Sequence, residues 1–273
     1  MGTSRARPVA LLEKRVASVI WWLIPGVLSY LAVPLLLPIF QAQLRQNYLG
    51  ETIPNGIGYA FVMPSVLVMI ARAKDVDYAT LFALCLLLFA ILGGVDDSLG
   101  KSSKKGFRGH FTERQLSTGG LKAWGGAASS LVIASLLTNN WLELLVNGAV
   151  IALGANFLNL LDLRPGRAGK AFILLALPSL LLRWVSLGPL FGLLCAVVGY
   201  LPWDLRRRVM MGDAGSNPLG AALGLATAIY SPLYVKIILS VILLGLNALS
   251  ERVSFSGIIE SNRFLHFLDQ LGQ

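Results

Sequence analysis

The sequence predicts an all-α polytopic membrane protein with about nine transmembrane helices and a C-terminal amphipathic helix. Three observations carry that expectation. Hydrophobic residues make up 55% of the 273 residues and charged residues 14%, against roughly 25% charged in a soluble domain. Mean hydropathy is +0.69. The apolar residues also fall in runs close to the roughly 20 that a helix needs to cross a bilayer core. A soluble globular domain, a disordered chain and a secreted disulfide scaffold are excluded on these grounds.

The runs follow one another with short connections. Residues 1–15 form a basic tail. The first run, at 16–40, is longer than a signal-peptide core and lacks a small-residue cleavage pattern; Pro25, Pro34 and Pro38 are expected to kink it. Further spans are expected near 56–71, 78–95, 121–137, 141–161, 168–184, 187–203, 216–230 and 233–249. The chain thus reads as one integral-membrane domain over 1–273, with helices at 16–250 and a cytoplasmic tail at 251–273. In that tail Ile258, Ile259, Leu265, Leu268 and Leu271 share one helical face, as in a helix lying on the inner surface. A packing or dimerisation helix, within a homodimer, is the other reading of the same pattern. Cys85 and Cys195 lie inside apolar runs without ligand spacing, so neither a disulfide nor a metal site is expected.

The net charge is +9. In a soluble protein it would suggest nucleic acid; here it fits positive cytoplasmic loops, and no nucleic-acid partner is expected. With the N-terminus outside, most of the 23 Lys and Arg residues fall on inner loops of a cell-membrane protein. The basic tail runs against this bias: either it is translocated, or the proline-rich first run does not cross fully.

Acids at membrane edges need a reason, and four of the 14 occur in three compact motifs on the same expected side. Gly93-Gly94-Val95-Asp96-Asp97 closes the third span. Its adjacent carboxylates repel and sit at a helix C-terminus, so they call for a cation, either a nearby Lys or Mg²⁺. Asn156, Asn159 and Asp162 close the fifth span at i, i+3, i+6, forming a polar stripe about 120° wide. Met211-Gly212-Asp213-Ala214-Gly215-Ser216 precedes the eighth span. Asp213 or Ser216 could cap that helix, whose first N–H groups can hold an anion. Metal-binding carboxylates together with cations and a helix start for phosphates are the parts that phosphoryl transfer uses.

From about residue 47 to 249 the chain resembles the polyprenyl-phosphate N-acetylhexosamine-1-phosphate transferases. The resemblance rests on Asp96-Asp97, on Asn156, Asn159 and Asp162, and on Met211 to Ser216. Ile53-Pro54-Asn55-Gly56-Ile57-Gly58 is a weaker match to the lead-in of the family's second helix. The resemblance implies transfer of a sugar-1-phosphate from a UDP-sugar to a polyprenyl phosphate, with release of UMP, at a cytoplasmic site that uses Mg²⁺. It implies Asp96, Asp97, Asp162 and Asp213 as catalytic residues, with Asp213 and Asp97 at the metal. Substrate contacts would come from Lys122, Asn156, Asn159, Arg164, Gly215 and Ser216. The family's His-rich last cytoplasmic loop is represented only by His266 and Arg263, and His110 is a candidate substitute imidazole. The member is therefore atypical. A transporter or lipid flippase, and an inactive relative, are the alternatives; a transporter would place polar residues in mid-membrane, whereas these acids fall at helix ends.

Overall fold

The computed structural model describes residues 6–99, 118–183 and 188–272. Among them the chain is helical apart from one hairpin. The helices are α1 (Ala6–Phe40), α2 (Tyr59–Ala71), α3 (Ala79–Leu99), α4 (Thr118–Ser135), α5 (Trp141–Leu161), α6 (Arg167–Arg183), α7 (Gly188–Leu205), α8 (Asp213–Tyr230), α9 (Leu233–Ser250), α10 (Phe255–Ser261) and α11 (Arg263–Gln270). The long ones coincide with the expected spans to within a few residues, except that α1 begins well inside the expected basic tail. Both cysteines are free.

Among the described residues, five segments are long and apolar enough to cross a membrane: Val19–Phe40, Ala79–Ser98, Trp141–Leu161, Gly188–Leu205 and Leu233–Ser250. The fold is thus all-α and of a membrane type, while the expected count of about nine spans exceeds these five. For three of the four other helices the cause is local. The α2 helix has only 13 residues, α6 has 17, and α8 opens on Asp213 and carries small and polar residues along its length.

The reason α8 tolerates that composition is its position. It is buried along nearly all its length, from Ala214 to Ala228, and packs mainly on α5 and α3. Gly220 allows the α5 and α8 backbones to touch at Gly154, where any side chain would collide with the facing carbonyl, the close approach typical of small residues in membrane helix pairs. By contrast, α1 packs mostly on α7 and turns Leu35 and Ile39 outward.

A short antiparallel hairpin that the hydrophobic pattern did not predict joins α1 to α2. Strands β1 (Leu44–Gln46) and β2 (Thr52–Pro54) pair Arg45 with Ile53. The turn is closed by Asn47, whose Oδ1 accepts from the Leu49 and Glu51 N–H groups at 2.9 Å, and by Gly50 at φ +80°. Such side-chain turns are common for Asn. The expected single C-terminal amphipathic helix is instead two, α10 and α11. Asn262 breaks it: its Oδ1 accepts from the Phe264 and Leu265 N–H groups, capping α11.

Candidate functional site

The first and third acidic motifs meet at the start of α8, and the second reaches it through Asn159. The α3 helix continues to Leu99, four residues past the expected end, so Asp97 lies in its last turn. There it is 7% exposed. One carboxylate oxygen accepts from Asn55 Nδ2 at 2.9 Å and the other from the Ala214 N–H at 3.0 Å, and the Asp213 N–H donates to it as well. Arg45 on β1 reaches it at 3.8 Å and donates to the Asp97 carbonyl at 3.4 Å.

Asp97 therefore caps α8 from another helix. The expectation was that Asp213 or Ser216 would do so. Gly212 occupies the cap position and offers no side chain, and α8 begins at Asp213, so the motif forms its first turn. The N–H groups of Gly215 and Ser216 bond to the Gly212 carbonyl at 3.0 and 2.9 Å. The anion expected at this helix start is thus already present, as the chain's own carboxylate, placed where the helix dipole favours it. Gly215 and Ser216 are buried, and the Ser216 Oγ donates to Gly212 at 3.0 Å and to Asn159 Oδ1 at 3.3 Å.

The backbone around the cap is closed by pairing. The Ile57 and Gly58 N–H groups donate to the Met210 and Met211 carbonyls, and the Met210 N–H donates to Pro54. Gly212 sits where these segments cross, at φ +65° and ψ −172°, a region essentially reserved for glycine. A Cβ there would lie 2.5 Å from the Asp97 Oδ2. We expect Gly212→Ala to cost about 1–3 kcal/mol from backbone strain alone and to push Asp97 off α8. Thermal unfolding of the purified variant measures this; an unchanged midpoint would mean that the crossing relaxes freely.

The other expected residues take distinct places. Asp96 is half-buried beside Asp97 on α3, and Asp213 is half-buried at the first position of α8. Asn159 joins the cluster through Ser216. Asn156 donates instead to Asn247 on α9. Asp162 ends α5 and faces the α7 side, within electrostatic range of Tyr200. Arg164 stacks on Tyr48 and pairs with Glu260. Lys122 belongs to α4, with its side chain outside the described residues; His110 lies outside them altogether.

A cavity of about 760 Å³ adjoins the cluster, framed by α3, α4, α5, α8 and α9. Phe89, Leu92, Ala152 and Leu244 make it largely apolar. Asn156, Asn217 and Asn247 supply polar points, and Glu251 and Arg252 also line it. That size and lining suit an apolar ligand with a polar head. Asn55, Arg45, Asn217 and Asn247 were not singled out from the sequence. Asn55 lay within a Pro-Asn-Gly segment, and Asn247 was legible as an amide inside an apolar run, costly there without a partner.

The model of a known protein family, described as glycosyl transferase family 4, matches residues 79–231. The match runs from the first residue of α3 to just past α8 and includes all three acidic motifs. A search of curated proteins finds no match.

Proposed function

Because the chain belongs to glycosyl transferase family 4, we propose that it transfers a sugar-1-phosphate from a UDP-sugar, a UDP-N-acetylhexosamine above all, to a polyprenyl phosphate in the cell membrane. In this reaction an oxygen of the lipid phosphate bonds to the β-phosphorus of the donor. The bond from that phosphorus to the bridging oxygen breaks, and its electron pair leaves with UMP. The carrying observation is the contact of Asp97 with the first turn of α8. It places Asp96, Asp97 and Asp213 together, with Asn159 beside them and an apolar cavity next door.

The reaction gathers several phosphate charges, and the residues present suit that problem. The cavity would take the first isoprene units of the acceptor, with its phosphate toward the polar end. Asp96 would orient that phosphate. Arg45, whose side chain is 44% exposed, and Arg252 in the cavity's lining would offset its charge. Asp162 would face the nucleotide side. Asp213 and Asp97 are hard oxygen donors suited to Mg²⁺, which needs only one or two carboxylates when phosphates and water complete its shell. When bound there, Mg²⁺ would neutralise the diphosphate and the charge that develops on the leaving oxygen. Among the described residues no cluster of three or more His, Cys, Asp or Glu side chains could hold a metal, so substrate oxygens would have to complete the set. The site would open to the cytoplasm, where nucleotide sugars are made.

The test incubates the purified full chain with undecaprenyl phosphate, Mg²⁺ and a panel of UDP-sugars, and measures UMP and the lipid product together. Equal amounts of both with one donor are expected. No product with any donor, where a control relative is active, would overturn the reading.

A further inference from the structure

Two arginines three residues apart, Arg164 on the α5–α6 connection and Arg167 at the first position of α6, hold the C-terminal arm, α10 and α11, in different ways. Arg167 is 5% exposed. Its Nε and Nη2 donate to the two oxygens of Asp269, each at 2.8 Å, and its Nη1 donates to Ser256 Oγ at 2.8 Å. This is a bidentate fork on a buried carboxylate, the strong form of the pair. Arg164 is more accessible, with its side chain 23% exposed. It pairs with Glu260, whose side chain is 43% exposed, and its guanidinium lies 4.9 Å from the centre of the Tyr48 ring.

The position of Arg164 matters. It stands two residues after Asp162, between the tip of the hairpin and the arm. The same hairpin carries Arg45 to Asp97. Arg164 thus joins two surface segments, α10 and the β1–β2 turn. The Tyr48 ring offers the guanidinium a second contact that does not depend on Glu260, while an exposed ion pair shifts an equilibrium by only about two- to fivefold. A diphosphate brings more charge than one carboxylate, and its oxygens fit the same fork.

We propose that Arg164 is a binding site for the diphosphate of the nucleotide donor, and that Glu260 occupies it as an internal, displaceable anion until the donor arrives. The arm stays attached throughout, because Arg167 and Asp269 anchor it; only the Arg164–Glu260 contact exchanges. The identity of the anion as a donor diphosphate rests on the transferase reading, but the anion site itself does not.

The experiment measures binding of inorganic diphosphate to the purified full chain by calorimetry, without catalysis, for wild type, Glu260→Gln, Arg164→Ala and the double variant. Glu260→Gln is expected to bind about two- to fivefold tighter. Arg164→Ala is expected to bind more weakly than wild type, and the double variant to match Arg164→Ala. Unchanged or weaker binding by Glu260→Gln, or a gain that persists without Arg164, would overturn the proposal. Glu260→Ala repeats the test should the Gln variant fold poorly. In the transfer assay, Glu260→Gln should lower the KM for the UDP-sugar and leave that for polyprenyl phosphate unchanged; a change confined to the lipid KM overturns the donor assignment. Tighter diphosphate binding in a chain with no transfer activity would uphold the anion site and sink the transferase reading. Transfer activity with no Glu260 effect would do the reverse.

Discussion

Asp213→Asn is expected to lower turnover by a factor on the order of a hundred to a thousand, the scale seen when one preorganised charge is removed from a reacting centre. The fold should hardly notice. The start of α8 is held by main-chain bonds, the Asp213 and Ala214 N–H groups on Asp97 and the Gly215 and Ser216 N–H groups on Gly212. None of these needs the Asp213 carboxylate. Asp97 and Asp213 are moreover like charges close together, so Asn, of nearly the same shape, relieves repulsion between them. The thermal midpoint should stay level or rise slightly while UMP release collapses. UMP release at the wild-type rate would remove Asp213 from the metal set; a large fall in the midpoint would show that the carboxylate supports the fold.

Breaking the buried Arg167–Asp269 pair should have the largest effect on structure. Both residues are nearly inaccessible, and deleting one partner leaves an uncompensated buried charge at a cost of about 3–5 kcal/mol. Arg167→Ala should release the arm without melting the helices beneath it. Hydrogen exchange is the measurement: residues 255–270 should lose protection while α3, α5 and α8 keep theirs. Protection of the arm at wild-type level would show that Phe255 on Phe157 and the apolar contacts hold it unaided.

The same pair sets a pH dependence. Burial pushes the Asp269 carboxyl upward, but the Arg167 hydrogen bonds and charge, with Lys170 and Arg164 nearby, outweigh that and hold it below the usual carboxylate value. A carboxyl whose pKa is depressed on folding stabilises the docked state above its unfolded value, about 4. That stability is lost as pH falls through the folded value. The arm should therefore stay protected at neutral pH and at pH 5, and open only in stronger acid.

Much of the scaffold was legible in the sequence because hydrophobic runs report helices directly. Helix α5 begins and ends where its run does. The motifs were legible because Asp96, Asp97, Asp162 and Asp213 stood out against an acid-poor, apolar chain. The meeting of Asp97 with the turn that opens on Asp213 follows from alternation of the spans, which sequence spacing already implied; Asp162 ends α5 on the α7 side. What stayed hidden depends on partners distant in the chain. That Asp97 caps α8 cannot be read from either segment alone, since local rules assign a cap to the preceding residues. The hairpin escaped because three-residue strands held by an Asn turn carry no periodic signal. The break at Asn262 was hidden by an apolar face that continues across it, and Arg167 and Asp269 are 102 positions apart.

The composition of α8 has a consequence for biogenesis. It is the innermost helix, opens on an aspartate and is not among the segments apolar enough to span lipid unaided. A nascent chain passing through a translocon cannot abandon such a helix to hydrocarbon. α3 and α5 are synthesised first and must wait to receive it, so insertion and tertiary assembly become a single event, and Asp97 meets the turn of Asp213 only when the escort succeeds.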